Sequence, residues 1–420
     1  MDQAYTSKTL NRIISEGKCI GCGLCASMFP EQLSIRKTSS GYLRPAENKA
    51  LSNDQTEALW SVCPGVVQTG LPEQHIAHDT AVDDIWGPIR HVVTAHASNP
   101  SVRFRGSTGG VLTALCQYLV EGSIVSYVSH VTASADNPGH GDPFVSQTSE
   151  QVLQGSGSRY GPSAPLMSLY QHLDKDEPFA IVAKPCDISA VRRLALTEPR
   201  INDLVRYFLT PVCGGFMPPF ALDNFFKRTG VNPSDVVSLS YRGNGCPGPT
   251  RIELSNGEVI EKTYLDLWGT DASMWHLAWR CKICPDGTGE GADIAVADTW
   301  RGGSPDPTTL DSDPGTNAII VRTVAGGDLI DGAVAAGFLE MQGESSIEDL
   351  NHWQPHQVTK KIASQARYRG MLECDQLPIR TPGMANKRLL ESMTEQTRLA
   401  QTEGTVERIK MGKHSDDWSG

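Results

Sequence analysis

Residues 103–131 read RFRGSTGGVLTALCQYLVEGSIVSYVSHV, and this stretch decides the fold class. A polar, glycine-rich turn ending at Gly109-Gly110 opens directly into an apolar helical run, VLTALCQYLV at 111–120. A β-branched run, IVSYVSHV at 124–131, follows with the look of a strand. The amides of Ser107 to Gly110, with the helix dipole behind them, make either an anion site or a helix-capping loop. The spacing is neither a Walker loop nor a GxGxxG dinucleotide fingerprint. A second loop, GSGSRYGPSAP at 155–165, joins glycine flexibility to Arg159 and Tyr160.

Outward from this point the alternation continues. FAIVA (179–183), YFLTPV (207–212), VVSLSY (236–241), DIAVAD (293–298) and NAIIVR (317–322) read as strands. AVRRLA (190–195), PFALDNFFKR (219–228) and LIDGAVAA (329–336) read as helices. RIELSNGEVIEK (251–262) carries a hairpin signal at Asn256-Gly257. The expected fold is an α/β core over 90–345, preceded by a cysteine-rich segment over 1–75. A polar stretch at 71–89 reads as a linker, and the region 346–420 reads as a helical C-terminal tail.

The chain has 420 residues, 39% hydrophobic and 20% charged, which is the globular range and allows two or three domains. Its net charge of −11 argues against a protein dominated by nucleic-acid or anionic-membrane contacts. The opening MDQAYTSKTL lacks the apolar core of a signal peptide. The most apolar stretch, Val111 to Val128, is broken by Gln117, Glu121 and Gly122, so no membrane span is expected. In the cytoplasmic setting this implies, eleven cysteines read as metal ligands or redox groups before they read as disulfides.

Cys19, Cys22 and Cys25 form CxxCxxC with Gly21 and Gly23 between them. Bacterial ferredoxins place a fourth cysteine three residues later, followed by proline. Here that position is Phe29, with Pro30 kept, and Cys63-Pro64 supplies a remote Cys-Pro instead. The spacing assigns Cys19, Cys22, Cys25 and Cys63 to one 4Fe-4S cluster. A zinc knuckle is the competing assignment, but zinc favours two CxxC pairs. A three-iron cluster without Cys63 is the other alternative. Cys281 and Cys284 form a lone CxxC, which by itself suits a redox dithiol, half a zinc site or half a cluster site. Cys186 and Cys213 follow strands and can converge with it at one sheet edge, or all four can be buried small hydrophobes. Cys116, inside an apolar helix, reads as core, and Cys246 sits in the glycine-rich loop RGNGCPG.

Taken in order, GSTGGVLTAL, GSRYGPS, KPCD at 184–187, CGG at 213–215, YRGNGCPG at 241–248 and CKICPDG…ADIAVADTW at 281–300 resemble one family. It is the coenzyme F-420 hydrogenase/dehydrogenase beta-subunit family, which also includes ferredoxin-dependent reductases of chlorophyll intermediates. The resemblance spans about 15–345. It implies a non-Rossmann, FAD-binding α/β core with a second 4Fe-4S cluster on Cys186, Cys213, Cys281 and Cys284. It carries flavin contacts onto Ser107, Thr108, Gly109, Gly110, Ser158, Arg159 and Tyr160, with Lys184 as a charge near the ring. Family members often have Trp where this chain has Cys246.

The expectation that follows is an iron–sulfur flavoprotein in which a ferredoxin-type donor, or another redox protein, feeds two clusters and then FAD. The flavin would reduce an unsaturated small organic substrate. The alternatives are a deazaflavin-handling beta subunit of a hydrogenase or formate dehydrogenase, and an electron-transfer adaptor with no substrate of its own. Proton-donor candidates are Tyr241, Cys246, His276 and Asp298, each with an ordinary packing role beside it. The aromatic segment WHLAW (275–279) reads as core before it reads as a substrate platform. Lys360, Lys361, Arg367 and Arg369 offer either a dock for an acidic ferredoxin or a solvated helical face. The sequence leaves a homo-oligomer open.

Overall fold

The computed structural model describes residues 9–269, 276–309 and 312–419. The opening MDQAYTSK and Trp275 of the aromatic segment lie outside them. An eight-stranded mixed sheet forms the centre, in the order Leu339–Glu344, His91–Ala97, Asn317–Val321, Ile294–Asp298, Val205–Pro211, Phe179–Val182, Tyr127–Ala133, Gly141–Ser146. The inner run from Ile294–Asp298 to Tyr127–Ala133 is parallel, and the strands outside it pair antiparallel. Antiparallel margins are the part the sequence did not disclose: His91–Ala97 alternates weakly and Leu339–Glu344 is polar, so neither carries a strong strand signal.

The inner strands read as continuous apolar runs because both faces are covered. Val111, Leu115 and Leu119 of the helix Val111–Glu121 pack on one face with Leu209, Ile294, Ile319 and Leu329. Ile188 and Val191 of the helix Pro185–Leu194 pack on the other with Phe179, Ile181 and Phe208. A three-stranded antiparallel sheet, Val236–Ser240, Thr250–Leu254 and Val259–Lys262, lies against the helix Pro219–Thr229. Asn256-Gly257 turns its hairpin, with Gly257 at φ 84°.

One expectation changes. The stretch 71–89 is not a loose linker: it ends in a short hairpin of Ala81–Asp83 with Gly87–Ile89, and Trp86 between the two is fully buried, its Nε1 donating to Asn351 at 2.8 Å. Its polar composition hid the single large side chain that anchors it. The helical C-terminal tail is not continuous over 385–401. It breaks at Met393, and Thr394 caps a new helix, Glu395–Lys410, by accepting from the Thr397 amide. Among the described residues no helix is long and apolar enough to cross a membrane.

The core holds a titratable group with a measurable consequence. His172 is buried against the rings of Tyr127 and Phe179. Burial pushes its pKa from 6.5 down to about 4, with Lys175 adding to the fall. The unfolded chain therefore takes up a proton near pH 6.5 that the folded chain refuses until about pH 4. Stability is complete above 6.5 and is lost as the pH falls through that window, by at most on the order of 3 kcal/mol from this group. Denaturant titrations of wild type and His172→Gln between pH 7 and 4 should show a shallower decline in the variant.

Candidate redox site at the carboxyl edge of the sheet

The parallel strands end on one side of the molecule, where α/β sheets place their sites. Cys186 follows Phe179–Val182, Cys213 follows Val205–Pro211, and Asp298 closes Ile294–Asp298. Three groups of side chains meet along this edge.

The first is the N-terminal cysteine set. Cys19, Cys22 and Cys25 wrap a loop into the helix Leu24–Met28, and Cys63 caps the end of the helix Asn53–Val62. All four line one cavity, together with Ile20 and Leu59. Gly21 has φ 73°, and a Cβ there would lie 2.4 Å from the Leu43 carbonyl oxygen, so only glycine lets the loop close. Burial raises every thiol of the set, and the neighbouring thiols raise Cys22, Cys25 and Cys63 further. Cys63 is lifted to about 11, with the Gly65 backbone and then Lys18 and Arg280 opposing the rise. Lys18 is itself buried, paired with Glu16 at 2.7 Å. On the far side Arg44 stands beside Cys19 and makes a two-pronged pair with Asp416 at 2.7 and 2.6 Å. The C-terminal residues Lys413 to Asp416 thus close over the set, with His414 edge-on to Trp279. Sequence reading missed this clasp, because Arg44 and Asp416 are hundreds of residues apart.

The second set is Cys186, Cys213, Cys281 and Cys284. Cys281 accepts the Phe216 amide at 3.3 Å, and the Cys213 amide donates to the Gly287 carbonyl at 2.8 Å. The thiols face one another: Cys281 and Cys284 both raise Cys213, and Cys284 raises Cys186. Burial is the larger cause for Cys186, Cys213 and Cys281 and lifts Cys213 to about 12. Cations crowd this set. Lys184 pairs with the fully buried Asp187 at 2.7 Å and lies against Cys186 and Cys213. Lys282 is pushed down to about 8 by burial, with Lys360, Arg408 and Arg367 beside it. Among the described residues no three His, Cys, Asp or Glu groups are close enough to hold a single metal ion. Two sets of four buried or half-buried thiols facing cations fit an anionic group.

The third group is a polar pocket built by the glycine loop. Gly109 approaches Asn317 so closely that a Cβ would meet its amide nitrogen at 2.8 Å, and Gly110 begins the helix at φ 73° without a side-chain cap. The centre of the pocket is Arg242, only 4% exposed. Its guanidinium donates to Asp298 at 3.1 Å, to the Ser107 carbonyl at 2.6 Å, to Thr108 at 2.9 Å and to Tyr160 at 3.3 Å. It stacks over Trp300, 4.5 Å from the ring centre. Burial alone would lower its pKa, and Asp298 holds it above its ordinary value. Thr108 also donates to Asp298, and Ser158 to Ser107 at 2.9 Å. Arg159 donates to the Leu239 carbonyl at 2.7 Å. Tyr160 meets Trp268 edge-on, at 5.0 Å between ring centres. Among the described residues, the buried Nε atoms of Arg242 and Arg159 and Nε1 of Trp268 have no acceptor. A pocket with surplus donors fits an acceptor-rich, anionic ligand. Arg242 was missed because YRGNGCPG drew attention to its glycines and Cys246, and only the fold brings it to Asp298, 56 positions away.

The other expected residues separate. Asp298 is in the pocket. Cys246 is buried at its rim, 3.5 Å from Asp313, with burial and that carboxylate lifting it to about 12. Tyr241 is 1% exposed and donates to the Gly139 carbonyl at 2.7 Å within the core of the small sheet. His276 is exposed, edge-on to Phe220, with Lys282, Arg228 and Lys413 as its charged neighbours. Lys184 lies with the second cysteine set. Lys361 is fully buried on Glu290, so it is no part of a basic surface, whereas Lys360 reaches the Gly214 carbonyl and Arg367 the Lys282 carbonyl.

Comparison with known proteins identifies the lineage. Residues 92–171 match the family model described as coenzyme F420 hydrogenase/dehydrogenase, beta subunit N-term, and residues 176–346 match its C-terminus model, together more than half of the chain. The chain belongs to the coenzyme F420 hydrogenase/dehydrogenase beta-subunit family. Relatives include the coenzyme F420 hydrogenase subunit beta of Methanococcus voltae, 26% identical over 63% of this chain and 87% of that one. The F420-dependent formate dehydrogenase 1 subunit beta of Methanococcus maripaludis is 33% identical over 49% of this chain and 50% of its own. A chain of the F420-reducing [NiFe] hydrogenase complex from Methanosarcina barkeri matches with a TM-score of 0.55 at 19% identity, over 72% of this chain and 99% of that one, which confirms the mixed α/β fold.

Membership places this chain among oxidoreductase subunits. It also overturns the leading expectation, in which a ferredoxin-type donor drives FAD to reduce an unsaturated organic substrate. The relatives are F420-linked hydrogenase and formate dehydrogenase subunits instead. The family match shows the lineage and the fold, and it does not select one substrate.

Proposed function

We propose that this chain is the electron-relaying beta subunit of an F420-dependent oxidoreductase. It would exchange electrons with F420 and pass them to a redox partner subunit. The observation that carries the reading is the meeting of two four-thiol sets and one donor-rich pocket along a single sheet edge, inside the family-matched region except for the N-terminal set. In this reading residues 1–75 hold one 4Fe-4S cluster on Cys19, Cys22, Cys25 and Cys63, in a ferredoxin-like segment. Residues 90–345 hold the other on Cys186, Cys213, Cys281 and Cys284, with a flavin, FAD by the family resemblance, in the glycine-loop pocket. Residues 346–420 close over the cysteine sets. Bound there, the clusters supply one-electron steps and the flavin ring two-electron exchange with F420.

The chain's own residues bind and orient. Arg242 and Arg159 neutralise an anionic ring edge or phosphate. Asp298 and Thr108 fix the Arg242 guanidinium, and Trp300 covers its face. Ser107, Gly109, Gly110, Ser158 and Tyr160 shape the wall. Cys246 and Asp298 are the protonatable groups at the pocket, while Tyr241 and His276 are assigned to packing and surface.

The test is anaerobic mixing of the purified chain with reduced F420. Bleaching of the iron–sulfur absorbance, with a viologen dye reduced in turnover, is the expected result. A chain bleached by dithionite but untouched by reduced F420 refutes the F420 role. Mass spectrometry of the acid-released cofactor decides FAD separately.

A further inference from the structure

Arg280 stands between the two cysteine sets. It lies on the short helix Trp279–Lys282, next to Cys281, and is 2% exposed. Its guanidinium does not turn toward its own set alone. Nε and Nη2 donate to the carbonyl of Pro64, the residue after Cys63, at 3.1 and 2.7 Å. Nη2 also donates to Gln68 Oε1 at 2.7 Å, and Gln68 in turn reaches the carbonyl of Asp286, two residues past Cys284, at 3.4 Å. These acceptors are all neutral. Arg280 directly precedes Cys281 in the chain, and its guanidinium is bonded to the carbonyl that follows Cys63, so a single cation sits at the junction of the two sets. Both thiol sets therefore face one permanent, desolvated positive charge.

We propose that Arg280 is a shared tuning and positioning residue, one buried cation that raises the reduction potential of both clusters and holds the Cys63 loop against the second set. The physical basis is that reduction adds negative charge to an already anionic cluster. A guanidinium in a low-dielectric interior stabilises the reduced form more than the oxidised one. Lys18 and Arg44 serve the first set and Lys184 the second, but Arg280 is placed to act on both.

The inference rests on the proposed reading that both sets hold clusters, and the wild-type chain tests that reading by itself. About eight iron atoms per chain and two distinct EPR signals on reduction are expected; about four irons would refute the two-cluster reading without touching Arg280. EPR-monitored potential titrations of Arg280→Gln and Arg280→Lys then test the inference. Both signals should move to lower potential in Arg280→Gln, each by at least about tenfold in the reduction equilibrium, which is about 59 mV for one electron. Arg280→Lys should keep both within that margin of wild type. Full iron in Arg280→Gln with one signal or neither displaced overturns the proposal. If Arg280→Gln loses iron, Arg280→Lys decides: iron retained with both potentials within tenfold of wild type supports the charge role, and any other result overturns it.

Discussion

Cys281→Ala is expected to halve the iron of the anaerobically purified chain, from about eight atoms to about four, and to abolish dye reduction by F420. The loss should exceed the roughly 10–100-fold typical of an outer-shell partner, because a relay missing one carrier has no path rather than a slower one. Cys281 is tied into its set: it accepts the Phe216 amide and faces Cys213 and Cys284. Cys63→Ala should remove the other half of the iron and leave the second cluster's EPR signal in place. Iron analysis with EPR on the two variants and their combination reads the result. Iron lost in equal and complementary halves is the expected outcome, and unchanged iron in Cys63→Ala refutes that ligand assignment. Cys116→Ser is the control. Its thiol, lifted to about 12 by burial alone, packs among Val111, Leu115 and Leu119 and should leave the iron untouched.

The second large effect belongs to Arg242. Arg242→Met removes a cation that touches Asp298, Thr108, Tyr160 and the Ser107 carbonyl together. Breaking a buried pair by removing one partner costs about 3–5 kcal/mol, because it strands the other charge. Asp298 keeps a side-chain exposure of 27%, so water recovers part of that and the lower end, about 3 kcal/mol, is expected. The same change should empty the glycine-loop pocket of its flavin while the iron count stays at wild type. Extracted-cofactor analysis and denaturant unfolding separate the two consequences. Arg242→Lys keeps a charge but not the fork, and should restore stability better than cofactor retention. Cofactor retained in full by Arg242→Met would show that the pocket is not where the flavin sits.

Much of this was legible in the chain itself. Strand runs such as NAIIVR appear as strands almost to the residue, because a strand buried on both faces is apolar without interruption. The glycine loop and its helix were equally plain, since Gly109 and Gly110 are required by a close approach and a left-handed backbone that other residues resist. The margins of the sheet were not. Leu339–Glu344 pairs with His91–Ala97 across more than 240 residues, and its polar side chains carry no period that forecasts it.

By itself the sequence determined the ligand types, the CxxCxxC spacing and the family, because each is a local pattern or an ordered series of local patterns. Only the tertiary structure decided which charges face which thiols. Arg280 reaches Pro64, Arg44 reaches Asp416, and Arg242 reaches Asp298 through contacts that no spacing rule encodes. A buried cation declares its role by what surrounds it, and those surroundings exist only once distant segments have been brought to the same sheet edge.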